Sequence, residues 1–394
     1  MEQPVSYKAF LKDIFLLSVS SFGGPQAHLA HFQKVLAKKR NYVTEEELIE
    51  INALCQVLPG PTSTQMLSAV GYKLGGPNLA YLTLLIWMLP SVAIMTTAGI
   101  LIGNFESKQI SLGFTRFIQP MAVGLVAFAA YSISLKMITR FRAFAIMVGA
   151  GVASYFIKNP FVFPIVLIIA GAITAFNYKI YPREEEKKFD VAWANFFLWI
   201  GVLVLAAVLG AITKSLPIRL FENFYRNGSL IFGGGQVLTP LLYTEFVQYS
   251  HKHYLSSEEF LSGYALAQSL PGPVFSFSAY VGALSMRDYG TGGGILGAIM
   301  SSAGIFLPGT FLIFFMVRIW ESLKKFRPIR ASLEGINAAS AGLVAAAAII
   351  LFQPLESSIL NYAFTIGTFC LVAFTKLPSW AVILGGLILG FVIK

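Results

Sequence analysis

Apolar stretches long enough to cross a bilayer recur along the whole chain. In the first half they cover residues 8–33, 47–72, 77–103, 117–138, 142–157 and 161–178, and in the second half 191–213, 219–247, 257–286, 293–319, 332–352, 357–374 and 377–393. A hydrocarbon core of about 30 Å is crossed by a helix of about 20 mostly apolar residues. The pattern predicts an all-α polytopic membrane protein with about 13 membrane segments. It leaves open whether the first two segments span the membrane or re-enter it.

The charged residues agree with a chain that lies mostly in lipid. Only 12% of the residues are charged, about half the fraction of a soluble domain. The net charge of +10 comes mostly from Lys and Arg in the short connections, which by the positive-inside rule indicates a cytoplasmic N-terminus if all 13 segments cross. One connection disagrees with the rule, since Lys34, Lys38, Lys39 and Arg40 would lie outside. We therefore expect a multi-pass protein of a plasma (inner) membrane, with the lipid bilayer and no nucleic acid among its partners.

The most charged stretch of the chain is residues 181–190, with PREEEKKF at its centre. Such a run predicts a solvated linker. We expect it to separate a first repeat, residues 1–180, from a second repeat, residues 191–394, that has one extra leading span.

Two motifs of the first half return in the second half in the same order. Phe22-Gly23-Gly24-Pro25-Gln26 returns as Phe232-Gly233-Gly234-Gly235-Gln236, and ALCQVLPGP at 53–61 returns as ALAQSLPGP at 265–273. Shared order of Gly, Pro and Gln indicates a duplication. In the 13-span count the chain crosses an odd number of times between the two copies, so the repeats are predicted to have inverted topology, as in many secondary transporters.

Two shorter matches extend the repeat further along the chain. Leu89-Pro90 corresponds to Leu307-Pro308, and Gly124-Leu125-Val126-Ala127 corresponds to Gly342-Leu343-Val344-Ala345. All four matches are collinear, with a spacing that grows slowly along the chain. Small insertions after a duplication explain this growth.

The repeated motifs place glycine and proline inside apolar spans. Proline lacks the amide donor and glycine favours non-helical dihedrals, so each motif predicts a discontinuous helix. Unpaired backbone at membrane depth is tolerated only where protein or a wet cavity covers it. The interruptions therefore predict a pocket in which half-helix N-termini present amide donors to an anion. Kinks that serve packing alone are the alternative.

Polar side chains accompany the interruptions. The predicted substrate-binding residues are Gly23, Gly24, Gln26, His28, Gln56, Pro59, Gly60, Thr62, Ser63, Gly233, Gly234, Gly235, Gln236, Gln268, Pro271, Gly272 and Ser276. Thr64, Gln65 and Ser278 lie beside them. For the hydroxyl groups, hydrogen bonding to helix carbonyls is an equally good explanation.

Ionisable residues within spans are candidates for a coupling role. His28 and Glu245 are predicted carriers of a coupling proton, because an imidazole or a carboxylate near the motifs can bind and release one. Glu222 and Arg226 are one helical turn apart near a span end, and a structural ion pair explains them better.

No enzyme motif is present. The patterns GxxxxGK[ST], HExxH and GxSxG do not occur. Cys55 and Cys370, the only cysteines, lie in apolar surroundings without a CxxC pattern. We expect a protein that is not an enzyme and that needs no cofactor and no metal.

The motif set resembles that of the chromate transporter (CHR) family. The residues that carry the resemblance are Phe22-Gly23-Gly24-Pro25 followed by Ala27-His28, Leu58-Pro59-Gly60-Pro61, Phe232-Gly233-Gly234-Gly235-Gln236 and Leu270-Pro271-Gly272-Pro273. It covers essentially the whole chain, and the two copies are similar to the long, two-domain form. The resemblance implies export of chromate by a prokaryotic protein, with sulfate as a related oxyanion and with the proton gradient or membrane potential as energy source.

Two departures separate the halves at the motifs. In the register that pairs Gly23 with Gly233, Pro25 stands opposite Gly235 and His28 stands opposite Leu238. The halves are therefore not equivalent, and which half dominates at the site stays open.

Three interpretations follow from the sequence. The first is secondary active export of chromate or a related tetrahedral oxyanion. The second is a carrier for sulfate or another anion, or a passive anion channel lined by the same broken helices. The third, a membrane-embedded enzyme or assembly subunit, lacks a catalytic motif. The sequence leaves open the physiological substrate and the coupling ion, which could be a proton. It also leaves open whether the protein forms a homodimer.

Overall fold

The chain is helical throughout the part that a computed structural model describes, which is residues 6–107, 113–176, 178, 193–232, 235–249, 254–323 and 326–393. No strand occurs in these residues, so the predicted all-α class is confirmed. The helices up to the second half are α1 (Tyr7–Ser20), α2 (Gly24–Phe32), α3 (Glu45–Val57), α4 (Thr62–Ser107), α5 (Ile118–Met137), α6 (Phe141–Phe156) and α7 (Val162–Ala175). Those that follow are α8 (Ala194–Thr213), α9 (Leu216–Leu230), α10 (Gly235–Tyr243), α11 (Ser257–Ser269), α12 (Phe277–Ser285), α13 (Gly290–Leu323), α14 (Arg327–Phe352), α15 (Ile359–Phe374) and α16 (Ser379–Val392).

Several of these helices suit a membrane by length and composition. Within the described residues five segments are long and apolar enough to span: Thr62–Phe105, Gly113–Met137, Ala194–Thr213, Arg287–Val317 and Arg327–Phe352. Five shorter apolar helices accompany them: Phe141–Phe156, Val162–Ala175, Val274–Ser285, Ile359–Phe374 and Ser379–Val392. The chain is therefore a polytopic membrane protein, whereas the number of 13 crossings stays a prediction.

The helices repeat in order between the two halves. α2 is followed by a π-helical segment, Gln33–Lys39, and α10 is followed by another, Thr244–Gln248. α3 corresponds to α11 and α6 corresponds to α15, and the two helices of each pair have equal lengths. Among the described helices, α8 is the one without a counterpart in the first half. The structure thus has a repeated arrangement, as the motifs predicted.

Two local features recur in both halves, a capping box and a glycine with positive φ. α3 begins with a capping box in which Glu47 N donates to Thr44 Oγ1 (3.1 Å) and Thr44 N donates to Glu47 Oε2 (3.0 Å). Ser256 and Glu259 form the same pair of bonds at the start of α11 (3.1 and 2.8 Å). Such reciprocal bonds satisfy amides that have no helical acceptor. Gly76 inside α4 and Gly290 at the start of α13 share a left-handed break, with φ of +69° at both.

The described helices divide between two compact units. Unit 1 comprises residues 1–100, 190–230 and 270–320. Its apolar core joins α1, α3 and α4 of the first half with α13 of the second, through residues such as Phe10, Leu54, Trp87 and Ile313. Residues of both halves therefore build one core.

Unit 2 comprises residues 101–189, 231–269 and 321–394. Its centre is α5 against α14; α6 and α7 of the first half pack on α14, and α15 and α16 of the second half pack on α5. Glycines permit the close approach. The Met147 carbonyl lies against Gly342, and the Thr365 carbonyl lies against Gly124. Met147 and Gly124 are the first-half counterparts of Thr365 and Gly342, so each half packs on the other in an equivalent way.

Candidate functional site

The first glycine motif interrupts the helical path between α1 and α2. Gly23 and Gly24 have φ of +94° and +78°, a region that residues with a Cβ rarely adopt. The break leaves the Ser21 carbonyl free to accept two hydrogen bonds, from His28 Nε2 (3.2 Å) and from the backbone amide of Gly272 (2.9 Å). The first motif of the first half is therefore hydrogen-bonded to the second motif of the second half.

Both LPGP motifs break the chain in the same way. α3 ends at Val57 and α4 begins at Thr62, while α11 ends at Ser269 and a 3-10 turn begins at Val274. Gly60 and Gly272 occupy equivalent positions and have φ of +114° and +94°. The predicted discontinuities are confirmed at these two motifs.

The two LPGP glycines pack reciprocally within unit 1. A Cβ on Gly60 would lie 3.4 Å from Gly309 Cα and 3.6 Å from the Gly228 carbonyl oxygen. A Cβ on Gly272 would lie 3.2 Å from Ser91 Oγ and 3.3 Å from the Ser18 carbonyl oxygen.

These contacts fall on corresponding positions of the two halves. Ser91 directly follows Leu89-Pro90 as Gly309 directly follows Leu307-Pro308. Ser18 corresponds to Gly228 in the register that pairs Gly23 with Gly233. Each LPGP glycine thus contacts the opposite half at the same two equivalent positions.

Polar groups of α4 connect the two breaks of the first half. The Trp87 indole donates to Thr64 Oγ1 (3.1 Å), and its ring meets the buried His28 imidazole edge-on at 5.4 Å. Within the described residues, His28 Nδ1 has no hydrogen-bond partner. The side chains after Gly60 therefore lie next to those after Gly24.

Gln65 ties the first LPGP break to α13. Its Nε2 donates to the Pro59 carbonyl oxygen (2.7 Å) and lies 3.5 Å from the Gly309 carbonyl oxygen. Its Oε1 is buried and unpaired among the residues that are described. The first helical bond of α4 runs from Gln65 N to the Pro61 carbonyl (2.9 Å). The amides of the three residues before Gln65 therefore have no helical acceptor.

Buried hydroxyl groups cluster after both breaks. Thr62, Ser63, Ser276 and Ser278 are all less than a tenth exposed. The Ser278 hydroxyl has no partner among the described residues. Amides and hydroxyls without fixed charge can hold an oxyanion, because both donate hydrogen bonds to its oxygens.

Several predicted site residues belong to unit 2 or fall outside the description. Gly233 and Gly234 lie outside the described residues, as do the side chains of Gln26 and Gln236. Gly235 and Gln236 form the first turn of α10. The half-buried Gln268 donates from Nε2 to the Tyr264 hydroxyl (2.9 Å). In unit 1, Gln56 is exposed at the end of α3 and Pro59 is buried.

The structure shows the environment of Glu245 and of the pair Glu222 and Arg226, the ionisable residues of the second half that the sequence singled out. Glu245 lies in the π-helical segment after α10 and is completely buried. Arg226 Nε pairs with Glu222 Oε1 at 3.0 Å within α9, which confirms a structural ion pair.

One buried polar cluster of unit 1 was missed. Asp13, in the middle of α1, accepts hydrogen bonds from Arg40 (2.8 Å) and from the Tyr42 hydroxyl (2.7 Å). Burial, together with the bond to the Asp13 carboxylate, raises the pKa of the Tyr42 phenol to about 12. The available signal was a single carboxylate within the first predicted membrane segment. This cluster fixes the end of the π-helical segment to α1.

Comparison with known proteins agrees with the repeat and with the motifs. The chromate transporter family matches the chain twice, over residues 9–176 and 218–391. A probable chromate transport protein of Synechococcus elongatus is 24% identical over 88% of this chain and 84% of its own. A chromate transport protein of Cupriavidus metallidurans is 23% identical over 95% of this chain and 90% of its own.

A shorter relative corresponds to one half. An uncharacterized transporter of Bacillus subtilis is 26% identical over 43% of this chain and 86% of its own. No solved structure was found to match the chain. Since the two family matches together cover most of the residues, the chain belongs to the chromate transporter family.

Proposed function

We propose that this protein is a secondary active transporter that exports chromate or a related tetrahedral oxyanion such as sulfate. In this proposal the halves are inverted repeats that work by alternating access, with the proton gradient or membrane potential as energy source. One observation carries it: Gly60 and Gly272 break the chain in the same way, and each break packs on the opposite half. Backbone freed at two equivalent positions is costly in lipid unless protein or a wet cavity covers it, and interrupted helices at corresponding positions of two repeats are typical of transporter binding sites.

The proposed cradle consists of residues of unit 1. It comprises the backbone at Gly23, Gly24, Gly60 and Gly272 and the hydroxyls of Thr62, Ser63 and Ser276. A helix N-terminus contributes about 0.3–1 kcal/mol to binding an anion when exposed and up to about 2 kcal/mol when partly buried, so several donors must converge on a dianion. The substrate class rests on the family and on the name of the Synechococcus relative. Roles for Gln26, Gln56, Gly233, Gly234, Gly235, Gln236, Gln268 and Pro271 remain predictions from sequence.

A transport assay with the purified full-length chain in proteoliposomes tests this proposal. Radiolabelled chromate, sulfate, molybdate and phosphate are offered with and without a pH gradient. We expect saturable chromate or sulfate uptake that accelerates when unlabelled substrate is present on the opposite side. Single-channel currents without such acceleration would instead show a passive anion channel.

The cradle itself is tested by removing hydroxyl donors. Thr62→Val combined with Ser63→Ala should raise the KM for the transported anion at least tenfold, since a hydrogen bond to a charged group is worth about 1.5–3 kcal/mol. Thr97→Val on the same helix is the control, because its exposed hydroxyl donates to the Ala93 carbonyl of its own helix (2.9 Å). An unchanged KM in the double variant would remove these hydroxyls from the site.

Proton coupling is tested at His28 and Glu245, the two predicted proton carriers. His28→Ala or Glu245→Gln should flatten the pH dependence of transport if that residue carries the proton. Glu258→Gln is the control, because Glu258 is exposed at the start of α11. A pH profile unchanged in both variants would exclude both residues as carriers.

A further inference from the structure

An open apolar groove lies between α15 and α16 in unit 2. Its volume is about 440 Å³, and it is lined by Phe364, Gly367 and Leu371 of α15, by Leu377, and by Gly385 and Leu389 of α16. α15 packs mainly on α5, whereas α16 packs on α11 and α5, and the two helices contact each other little. Outside its own helix backbone, no atom of the described residues lies within 4 Å of the position that a Cβ would take at Gly367 or Gly385. The groove therefore exists because glycine stands where a side chain would fill it.

The apolar lining of the groove limits which ligand it can bind. Its lining is almost wholly carbon, and Leu371, Leu377 and Leu389 are each exposed by 39–49%. In a polytopic membrane protein a surface of this kind faces hydrocarbon. A lipid acyl chain is the ligand that such an apolar groove can hold without leaving polar groups unpaired.

A cation stands at one end of the groove. Lys376 lies in the short connection between α15 and α16, next to Leu377, and is exposed. It forms no ion pair with any residue that the structure describes. Trp380 follows in the first turn of α16, and Trp is enriched at the level of lipid headgroups. If all 13 predicted segments cross and the N-terminus is cytoplasmic, this connection follows the twelfth crossing and lies on the cytoplasmic side, where basic residues attract anionic lipids.

We propose that the groove between α15 and α16 binds an anionic phospholipid, with an acyl chain against Gly367 and Gly385 and the headgroup phosphate at Lys376. The site is separate from the oxyanion cradle of unit 1 and does not depend on the transported substrate. The lipid fills the space that α15 and α16 leave on α5 and so stabilises this side of unit 2.

The repeat supplies matched controls. Gly149 of α6 and Lys158 of the α6–α7 connection are the first-half counterparts of Gly367 and Lys376, in the register that pairs α6 with α15. Gly149 also has open space around it, and Lys158 is exposed. Neither residue lines the groove. Equivalent substitutions in the two halves therefore separate lipid binding from general effects of a Leu or Gln at such positions.

The experiment titrates the purified full-length protein in detergent with phosphatidylglycerol or phosphatidylcholine. Bound lipid is counted by native mass spectrometry, and the melting temperature is followed in parallel. We expect phosphatidylglycerol to bind and to raise the melting temperature more than phosphatidylcholine does. Gly367→Leu should abolish this binding. Lys376→Gln should weaken it about fivefold, since a basic residue near the surface is worth about 1 kcal/mol. Gly149→Leu and Lys158→Gln should behave like the unmodified protein.

Three results would overturn the proposal. One is equal binding of the two lipids. Another is retention of phosphatidylglycerol by Gly367→Leu. The third is a change of oligomeric state in Gly367→Leu without loss of lipid, which would mean that a second copy of the chain covers the groove. Transport by Lys376→Gln in lipid-saturated vesicles should stay normal, so failure of this proposal is distinguishable from failure of the proposed transport function.

Discussion

The segment from α2 to α3 and the segment from α10 to α11 are duplicates with the same backbone plan. Both consist of a nine-residue helix, a π-helical segment and a longer helix with a capping box. Their surroundings differ. The first lies in unit 1, with Leu54 of α3 in a core shared with α1, whereas α11 packs on α5 and α16 in unit 2.

Their side chains differ as well. The first segment contains the buried His28, and the second contains the buried Glu245 in its π-helical part. The duplication has therefore kept the backbone breaks and caps, while the chemistry of the side chains has diverged. Substitutions at paired positions can separate what the halves share from what each does alone.

The largest effect is expected at the paired LPGP glycines. Gly60→Ala and Gly272→Ala should each lower the transport rate at least tenfold, because a Cβ in left-handed backbone costs about 1–2 kcal/mol and both positions are crowded. The two losses should be similar, since the packing is reciprocal. Initial uptake rates in proteoliposomes measure them, and gel filtration checks folding. Gly149→Ala, in open space, is the control. A loss in one variant alone would show that the breaks are not equivalent.

A smaller effect is expected where the halves differ in charge. Asn223 is the second-half counterpart of Asp13, in the register that pairs Gly23 with Gly233. Asp13→Asn should lower the free energy of unfolding by about 1.5–3 kcal/mol, because the bonds from Arg40 and Tyr42 lose their charged acceptor. Thermal unfolding in detergent measures this.

The control for this cluster is an exposed ion pair. Lys38→Gln removes the pair with Glu45 and should change the melting temperature little. Equal melting temperatures for Asp13→Asn and Lys38→Gln would contradict the assigned role of the cluster.

The smallest effects are expected at the capping boxes. Thr44→Ala and Ser256→Ala should each cost about 1 kcal/mol of stability. Ser256→Ala should cost more of the two, because its bond to the Glu259 amide is partly buried and water replaces it less easily than at the exposed Thr44. The same unfolding assay ranks them. A larger loss of stability in Thr44→Ala would mean that the solvent exposure of the capping hydrogen bond does not determine how much stability its removal costs.

The apolar spans were sufficient to predict the all-α class, and glycine and proline at matched spacing were sufficient to predict the repeat and the breaks at Gly60 and Gly272. These features follow from local backbone chemistry, which a motif shows directly. The exchange of packing partners between the halves could not be predicted, since nothing in the repeat says which half each break contacts. Asp13 and Arg40 are far apart in sequence, so their contact depends on how the π-helical segment turns back onto α1.

The reciprocal contacts of Gly60 and Gly272 determine whether the chain can be divided into two functional fragments. Each half completes the surface of the other, so neither half expressed alone should reach a stable state. Two fragments produced by a cut between residues 181 and 190 should nevertheless associate and recover uptake when made in the same cell. A continuous chain would then be dispensable, whereas contact between the two halves would be required for transport.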